Sequence, residues 1–287
     1  MGAGVLDGAA TAAAVRAELA AQVADLKARG VQPGLGTILV GDDPASASYV
    51  RLKHQDCEEI GIASFGELLP ADTTQGQLHD LIARFNADEH IDAYLVQLPL
   101  PKALDETAAL LAVDPAKDVD GLHPVNLGLL VMGAPGPIPC TPAGIVELLV
   151  RHGVSIEGKH VVIVGRGLTI GRPLALLLAL KRPNANAAVT VVHTGAGDLG
   201  RYTREADILV AAAGAPGLVT KDMVKPGAVV VGAGVTMDGK KIVSDVAEDV
   251  AEVAGWITPR VGGVGPMTRA MLLVNTVRAA ERRAASQ

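Results

Sequence analysis

The segment Val161-Val-Ile-Val-Gly-Arg-Gly-Leu-Thr-Ile-Gly171 limits the folds open to this chain more than any other stretch. Four apolar β-branched residues run into a glycine turn, Gly165-Arg166-Gly167. Gly171 then opens an apolar run, Pro173 to Leu180, that reads as a helix. Strand, glycine turn and helix start form the first half of a dinucleotide-binding βαβ unit. The glycines let the backbone turn tightly and approach a pyrophosphate, and free N–H groups at the helix start attract its charge. The spacing is GxGxxxG rather than the stricter GxGxxG, so the motif needs support from its surroundings.

The surroundings supply it. Val15, Leu19, Val23 and Leu26 recur at helical spacing between Ala9 and Arg29, and Gly30 stops that helix. Leu35 to Val40 reads as a strand, and Gly41-Asp-Asp-Pro44 as the turn that starts a helix reaching Ile60. Ile62 to Leu68 alternates like a strand, Thr74 to Asn86 is helical, and Ala93 to Leu98 is a buried strand closed by Pro99 and Pro101. Strands alternating with helices predict an α/β fold of parallel sheets with crossover helices. Between Asp114 and Pro142 the chain reads as turn-rich, and we place a domain boundary near Pro139, giving 1–139 and 140–265. Thr141 is expected to cap a helix that begins at Pro142. Ala188 to His193, Ile208 to Ala213 and Ala228 to Val231 read as further strands, and Met267 to Arg283 as a closing helix.

Length and composition narrow the function. A chain of 287 residues is long enough for two domains, and with 2% aromatics its core must be built from Ala, Val, Leu and Ile. A net charge of −6 argues against a nucleic-acid-binding face. No apolar run approaches a membrane span, and the first residues lack a secretory signal, so a cytoplasmic, membrane-free protein is expected. Cys57 and Cys140 lack metal-binding spacing and read as reduced, buried thiols. The histidines, His123 included, have no partner at ligand spacing and read as surface or turn residues, so no metal is expected.

Several residues carry a sharp reading beside a bland one. Tyr49 and Lys53 stand at i and i+4 on one helix face. Such a pair is usually a solvated lysine lying along a tyrosine, but at the mouth of a parallel sheet a lysine in a dry site can act on an imine-like carbon. Gln97, with Leu98 after it, ends a buried strand where α/β sheets place their ligands, though a glutamine there can equally satisfy loop backbone. Asp118 and Asp120 precede Gly121 in what is ordinarily a turn. One carboxylate there could also accept two parallel hydrogen bonds from a pterin or guanine edge. After the strand Ala188 to His193 an NAD-specific fold would carry an acid for the ribose hydroxyl. Here no acid occurs until Asp198. Arg166 and Thr194 suit a 2′-phosphate, hence NADP over NAD, although Arg166 could equally touch the pyrophosphate.

Together these blocks resemble the bifunctional methylenetetrahydrofolate dehydrogenase/cyclohydrolase family. The resemblance is carried by Tyr49-Val-Arg-Leu-Lys53, Val96-Gln-Leu-Pro-Leu-Pro101, Pro115-Ala-Lys-Asp-Val-Asp-Gly-Leu-His-Pro124, the Gly165-Arg166 turn and Gly262-Gly-Val-Gly-Pro-Met-Thr268. They run in family order over nearly the whole chain. The resemblance implies an N-terminal α/β folate-binding domain completed by the last helix (266–287) and a Rossmann-like NADP-binding domain. It also implies a cytoplasmic homodimer acting on one-carbon derivatives of tetrahydrofolate, in the metabolism that feeds purine biosynthesis. Lys53 would be the catalytic lysine, with Tyr49 stacking on folate, Gln97 tuning the lysine and Asp120 gripping the pterin edge. Leu98, Gly262 and Gly265 would line the folate pocket. Gly165, Arg166, Gly167, Thr194 and Val235 would hold NADP. Three positions depart from the family pattern: Gly167 stands where serine is common, Val231-Gly232-Ala233 lacks a usual aspartate, and Val261 replaces a proline.

Overall fold

A computed structural model describes residues 2–239 and 241–285. In chain order its elements are β1 (Gly4–Val5), α1 (Gly8–Ala28), β2 (Gly34–Val40), α2 (Pro44–Ile60), β3 (Ala63–Leu69), α3 (Gln75–Ala87), β4 (Ala93–Val96), α4 (Glu106–Ala112) and α5 (Pro124–Met132). Then follow α6 (Cys140–Arg151), β5 (His160–Val164), α7 (Gly171–Ala179), β6 (Ala188–Val192), α8 (Gly200–Thr203), β7 (Ile208–Ala211) and β8 (Val229–Gly232). The chain closes with the β9 (Val235–Asp238) and β10 (Lys241–Ser244) hairpin, β11 (Trp256–Ile257) and α9 (Val264–Ala285).

The chain forms two compact α/β units. The unit expected to be catalytic, termed the catalytic unit, takes residues 13–129, 135–140 and 269–285, so the C-terminal part of the last helix belongs with the N-terminal fold. The unit expected to bind the dinucleotide, termed the nucleotide unit, takes the described residues of 2–12, 130–134 and 141–268.

In the catalytic unit a three-stranded parallel sheet, β3-β2-β4, is built on β2, all seven residues of which are buried. Gly36 is required there, because a Cβ would stand 2.8 Å from that of Tyr94 and 2.9 Å from the Phe85 ring. The helices start where local chemistry permits. Asp43 accepts from the Ser46 amide to cap α2, with Pro44 in the first turn, and Gly61 ends α2 in the left-handed conformation. Thr74 and Gln77 form a reciprocal capping box on α3.

In the nucleotide unit six parallel strands run in the order β1-β11-β8-β7-β5-β6. The chain leaves β5 toward β6 on one side and returns to β7 on the other. The strand order therefore reverses beside the carboxyl ends of β5 and β7, where such sheets bind ligands. Val162, Val164, Leu209 and Val230 form the centre of its aliphatic core.

Some expectations need correction. Strand β4 ends at Val96 rather than Leu98; the Gln97 amide still donates to Ile38 O, and the Leu98–Pro99 peptide is cis. The stretch read as turn-rich contains α5, which begins at Pro124. Asp118 explains it, since its carboxylate accepts from the Gly121 and His123 amides and from Asn126 Nδ2, which draws that chain into a first helical turn. Helix α6 begins at Cys140, so Thr141 lies inside it, its hydroxyl 3.0 Å from that of Thr268 rather than on the helix amides. His123 is buried, its ring nitrogen accepting from the Val125 amide.

Candidate active site

The catalytic unit gathers Tyr49, Lys53, Gln97 and Asp120 around one amine. Helix α2 presents Tyr49 and Lys53 one turn apart, with the Lys53 Nζ 5.2 Å from the centre of the Tyr49 ring. Lys53 is 5% exposed, and its Nζ donates to Gln97 Oε1 at 3.0 Å. Gln97 Nε2 donates to Leu98 O at 2.7 Å, which turns the amide oxygen toward the lysine. Lys53 is therefore not a solvated lysine, and the Gln97 side chain meets both the lysine and the loop backbone.

Burial pushes this group of residues toward neutrality. Loss of water lowers the Lys53 pKa; the Asp120 charge opposes that, and Arg269 reinforces it. Burial raises the Asp120 pKa, against the attraction of Lys53 and with the repulsion of Asp118. The two aspartates before Gly121 have separate tasks. Asp118 is saturated by the loop, whereas the half-buried Asp120 carboxyl has no hydrogen-bond partner among the described residues. An acceptor held open in this way fits a ligand edge that brings two N–H donors, whose arrival favours the carboxylate. Burial likewise raises the Tyr49 pKa, so its phenol stays neutral beside the amine.

Sequence reasoning missed three neighbours of this site. Cys140 is buried, its thiol donating to Val119 O. Asn275 on α9 donates to Val119 O and Ile138 O, both at 2.9 Å, which fixes the stretch of chain leading to Asp120. Arg269, also on α9, lies 3.0 Å from Asp56. Nothing local marks these residues, because each acts across more than a hundred positions of sequence or on a partner that helical periodicity alone does not single out.

The nucleotide unit builds its site from backbone. At Gly165 φ is +125°, and a Cβ would collide with Ala212 O in the loop after β7; at Gly171 it would collide with Gly165 O. No side chain caps the first turn of α7; Pro173 has no N–H and the Arg172 amide donates to Gly167 O at 3.2 Å, which leaves the Gly171 amide to meet an anion. Gly167 is open, with nothing within 4 Å of the place a Cβ would take, and Arg166 and Thr194 are exposed. Val235, at the start of β9, is 54% exposed. A helix start without a side-chain cap, tight glycines and an exposed arginine suit a phosphorylated dinucleotide.

Two further features were not legible from the sequence. Asp245, fully buried, accepts from the Ala213 and Gly214 amides at 2.6 and 2.9 Å and shapes the loop after β7; only glycine at 234 leaves room for it. Gly232, where an aspartate was expected, has a physical reason: a Cβ there would lie 2.8 Å from Ser244 Oγ. Gly262, at φ +82°, and Gly265 lie in the nucleotide unit, in the loop and first turn that lead into α9.

Known proteins match the chain along nearly its whole length. Residues 6–120 match the catalytic domain, and residues 139–284 the NAD(P)-binding domain, of tetrahydrofolate dehydrogenase/cyclohydrolase. The bifunctional protein FolD of Syntrophotalea carbinolica is 58% identical over 284 residues, covering 99% of this chain and 98% of its own. The crystal structure of the bifunctional FolD enzyme from Campylobacter jejuni superposes with a TM-score of 0.93 at 44% identity, covering 97% of this chain and 99% of that one. The Trypanosoma brucei dehydrogenase-cyclohydrolase, solved with NADP cofactor and an inhibitor, gives 0.92 at 43%, covering 99% of each chain. A chain that folds, matches and arranges its residues in this way belongs to the tetrahydrofolate dehydrogenase/cyclohydrolase family.

Proposed function

We propose that this protein oxidises 5,10-methylenetetrahydrofolate with NADP and hydrolyses the methenyl product to 10-formyltetrahydrofolate, with Lys53 as the catalytic lysine. The observation that carries the lysine's role is its burial: a 5% exposed amine, held by Gln97 and facing a raised-pKa carboxyl, has little other use. NADP, when bound, supplies the hydride acceptor. Gly165, Gly171 and the uncapped start of α7 would hold its pyrophosphate, with Arg166 and Thr194 toward the 2′-phosphate and Val235 against the ring system.

Loss of hydride leaves a methenyl carbon that is cationic between N5 and N10. Water adds to that carbon, and neutral Lys53 accepts the proton it sheds. The amine then returns a proton to N5 as the carbon–N5 bond breaks and the formyl C=O forms on N10, with one proton released overall. Gln97 keeps the amine aimed, Asp120 anchors the pterin edge, Tyr49 covers a ring face, and Leu98 lines the pocket wall. The same reading takes the protein as a cytoplasmic homodimer whose formyl product serves purine biosynthesis. No helix among the described residues is long and apolar enough to cross a membrane.

The test is direct. Purified protein should reduce NADP on addition of methylenetetrahydrofolate and then consume the methenyl absorbance. Lys53→Met should abolish the second signal, and a variant that still hydrolyses methenyltetrahydrofolate at the wild-type rate excludes the lysine's role. Light scattering at a single-chain mass would remove the homodimer from the reading.

A further inference from the structure

Helix α2 carries a third side chain on the Tyr49–Lys53 face. Asp56, at i+7 from Tyr49, continues the stripe toward the helix end. Its side chain is 8% exposed and meets Arg269 of α9 at 3.0 Å, the arginine being 17% exposed. The contacting atoms, Asp56 Oδ2 and Arg269 Nη1, are shut off from water, yet they do not form a directed hydrogen bond. A pair of this kind is poorly explained by stability. Desolvating two charges costs several kcal/mol, and apolar replacements of buried pairs are often neutral or stabilising, to about 4 kcal/mol.

The field of Arg269 reaches further than its partner. It acts on Asp56, on Tyr49 and on Lys53. The other groups facing the lysine are Tyr49 and His54 of α2, Asp120 of the loop before α5, and Cys140 at the start of α6. Asp56 is faced in addition by Arg16 of α1 and by Glu59 of α2, which bond to each other at 3.0 Å. Of the charged groups bearing on the amine, Asp120 favours a protonated lysine and Arg269 opposes it.

We propose that Arg269, seated on Asp56, is a positioning residue for the Lys53 amine: it fixes the helix face that delivers Lys53 to Gln97 and sets a permanent positive charge on that face, about one helical turn from the lysine. The proposal rests on the reading of Lys53 as the catalytic lysine. A guanidinium keeps its proton at every working pH, so its effect on the amine does not switch off as the site titrates. Tethering to Asp56 holds that charge at one distance from the lysine. The result is an amine that gives up its proton at lower pH than burial beside Asp120 alone would allow.

The experiment is the pH profile of methenyl hydrolysis for the wild type, Arg269→Met, Arg269→Lys and Lys53→Met. Removing the charge raises the pH at which the amine deprotonates. The acid limb of Arg269→Met should therefore move up, with the rate at pH 7 falling about three- to tenfold and recovering on the alkaline plateau. Arg269→Lys should keep the limb within a twofold rate difference of the wild type. An acid limb unmoved in Arg269→Met, or moved equally in Arg269→Lys, overturns the proposal while leaving Lys53 in place. Should Arg269→Met not fold, Arg269→Gln carries the same expectation. Full activity in Lys53→Met overturns the functional reading first, and this inference with it.

Discussion

The two units solve opposite problems. The catalytic unit holds its site with side chains drawn out of water: Lys53 and Asp56 are buried, Asp120 is half-buried, and their charges are tuned by burial and by one another. The nucleotide unit holds its site with the absence of side chains. Gly165, Gly171 and Gly234 are places where backbone or a carboxylate fills the room a Cβ would take, while Arg166 and Thr194 stand in solvent. The contrast teaches that a reactive amine needs a dry environment to reach a useful pKa, whereas a pyrophosphate needs only N–H groups and close approach. Substitutions should therefore act on chemistry in the first unit and on folding or cofactor affinity in the second.

The sharpest way to break that contrast is at Lys53. Lys53→Met should lower methenyl hydrolysis by about 10²- to 10⁴-fold, the usual weight of a general acid–base group, with melting temperature unchanged or raised because a buried amine is replaced by an apolar chain. A large loss of thermal stability would make Lys53 structural and erase the distinction. Gly165→Ala is the converse case. With φ at +125° and a collision against Ala212 O, it should cost more than about 3 kcal/mol in chemical denaturation and abolish NADP binding, while pterin binding persists.

Asp120→Asn sharpens the catalytic side. Loss of a charge-assisted acceptor, about 1.5–3 kcal/mol, should raise the folate KM roughly 10- to 100-fold and leave the NADP Kd alone. Because burial raises the Asp120 pKa, the carboxyl takes up a proton sooner than an ordinary aspartate as pH falls. The wild-type folate KM should thus climb on the acid side, and that climb should vanish in the asparagine variant.

A smaller effect distinguishes packing from chemistry in the nucleotide unit. Gly232→Asp should destabilise by about 1–3 kcal/mol through crowding against Ser244, and Ser244→Gly should restore much of it, as a thermal double-mutant cycle would show. The smallest change is expected at Gly167→Ser. With open space around it, stability should stay within about 0.5 kcal/mol, and any gain should appear in NADP affinity alone.

The sequence by itself determined the α/β class, the glycine turn at Gly165, the helix start at Gly41-Asp-Asp-Pro44, and the placing of Tyr49 and Lys53 on one helix face, because each is written in neighbours a few residues apart. It also exposed Gln97 and Asp120 as candidates; turn chemistry did not divide Asp118 from Asp120, since both occupy the same kind of turn, and the resemblance alone favoured Asp120, with no physical ground for the choice. That division, the helix hidden at Pro124, the seat of Arg269 on Asp56 and the hold of Asp245 on the Ala213 amide were decided only by tertiary structure. The physical reason is common to all of them. Periodicity and turn chemistry are local, but whether a carboxylate is saturated, unpartnered or opposed by a cation depends on groups that folding brings from distant parts of the chain.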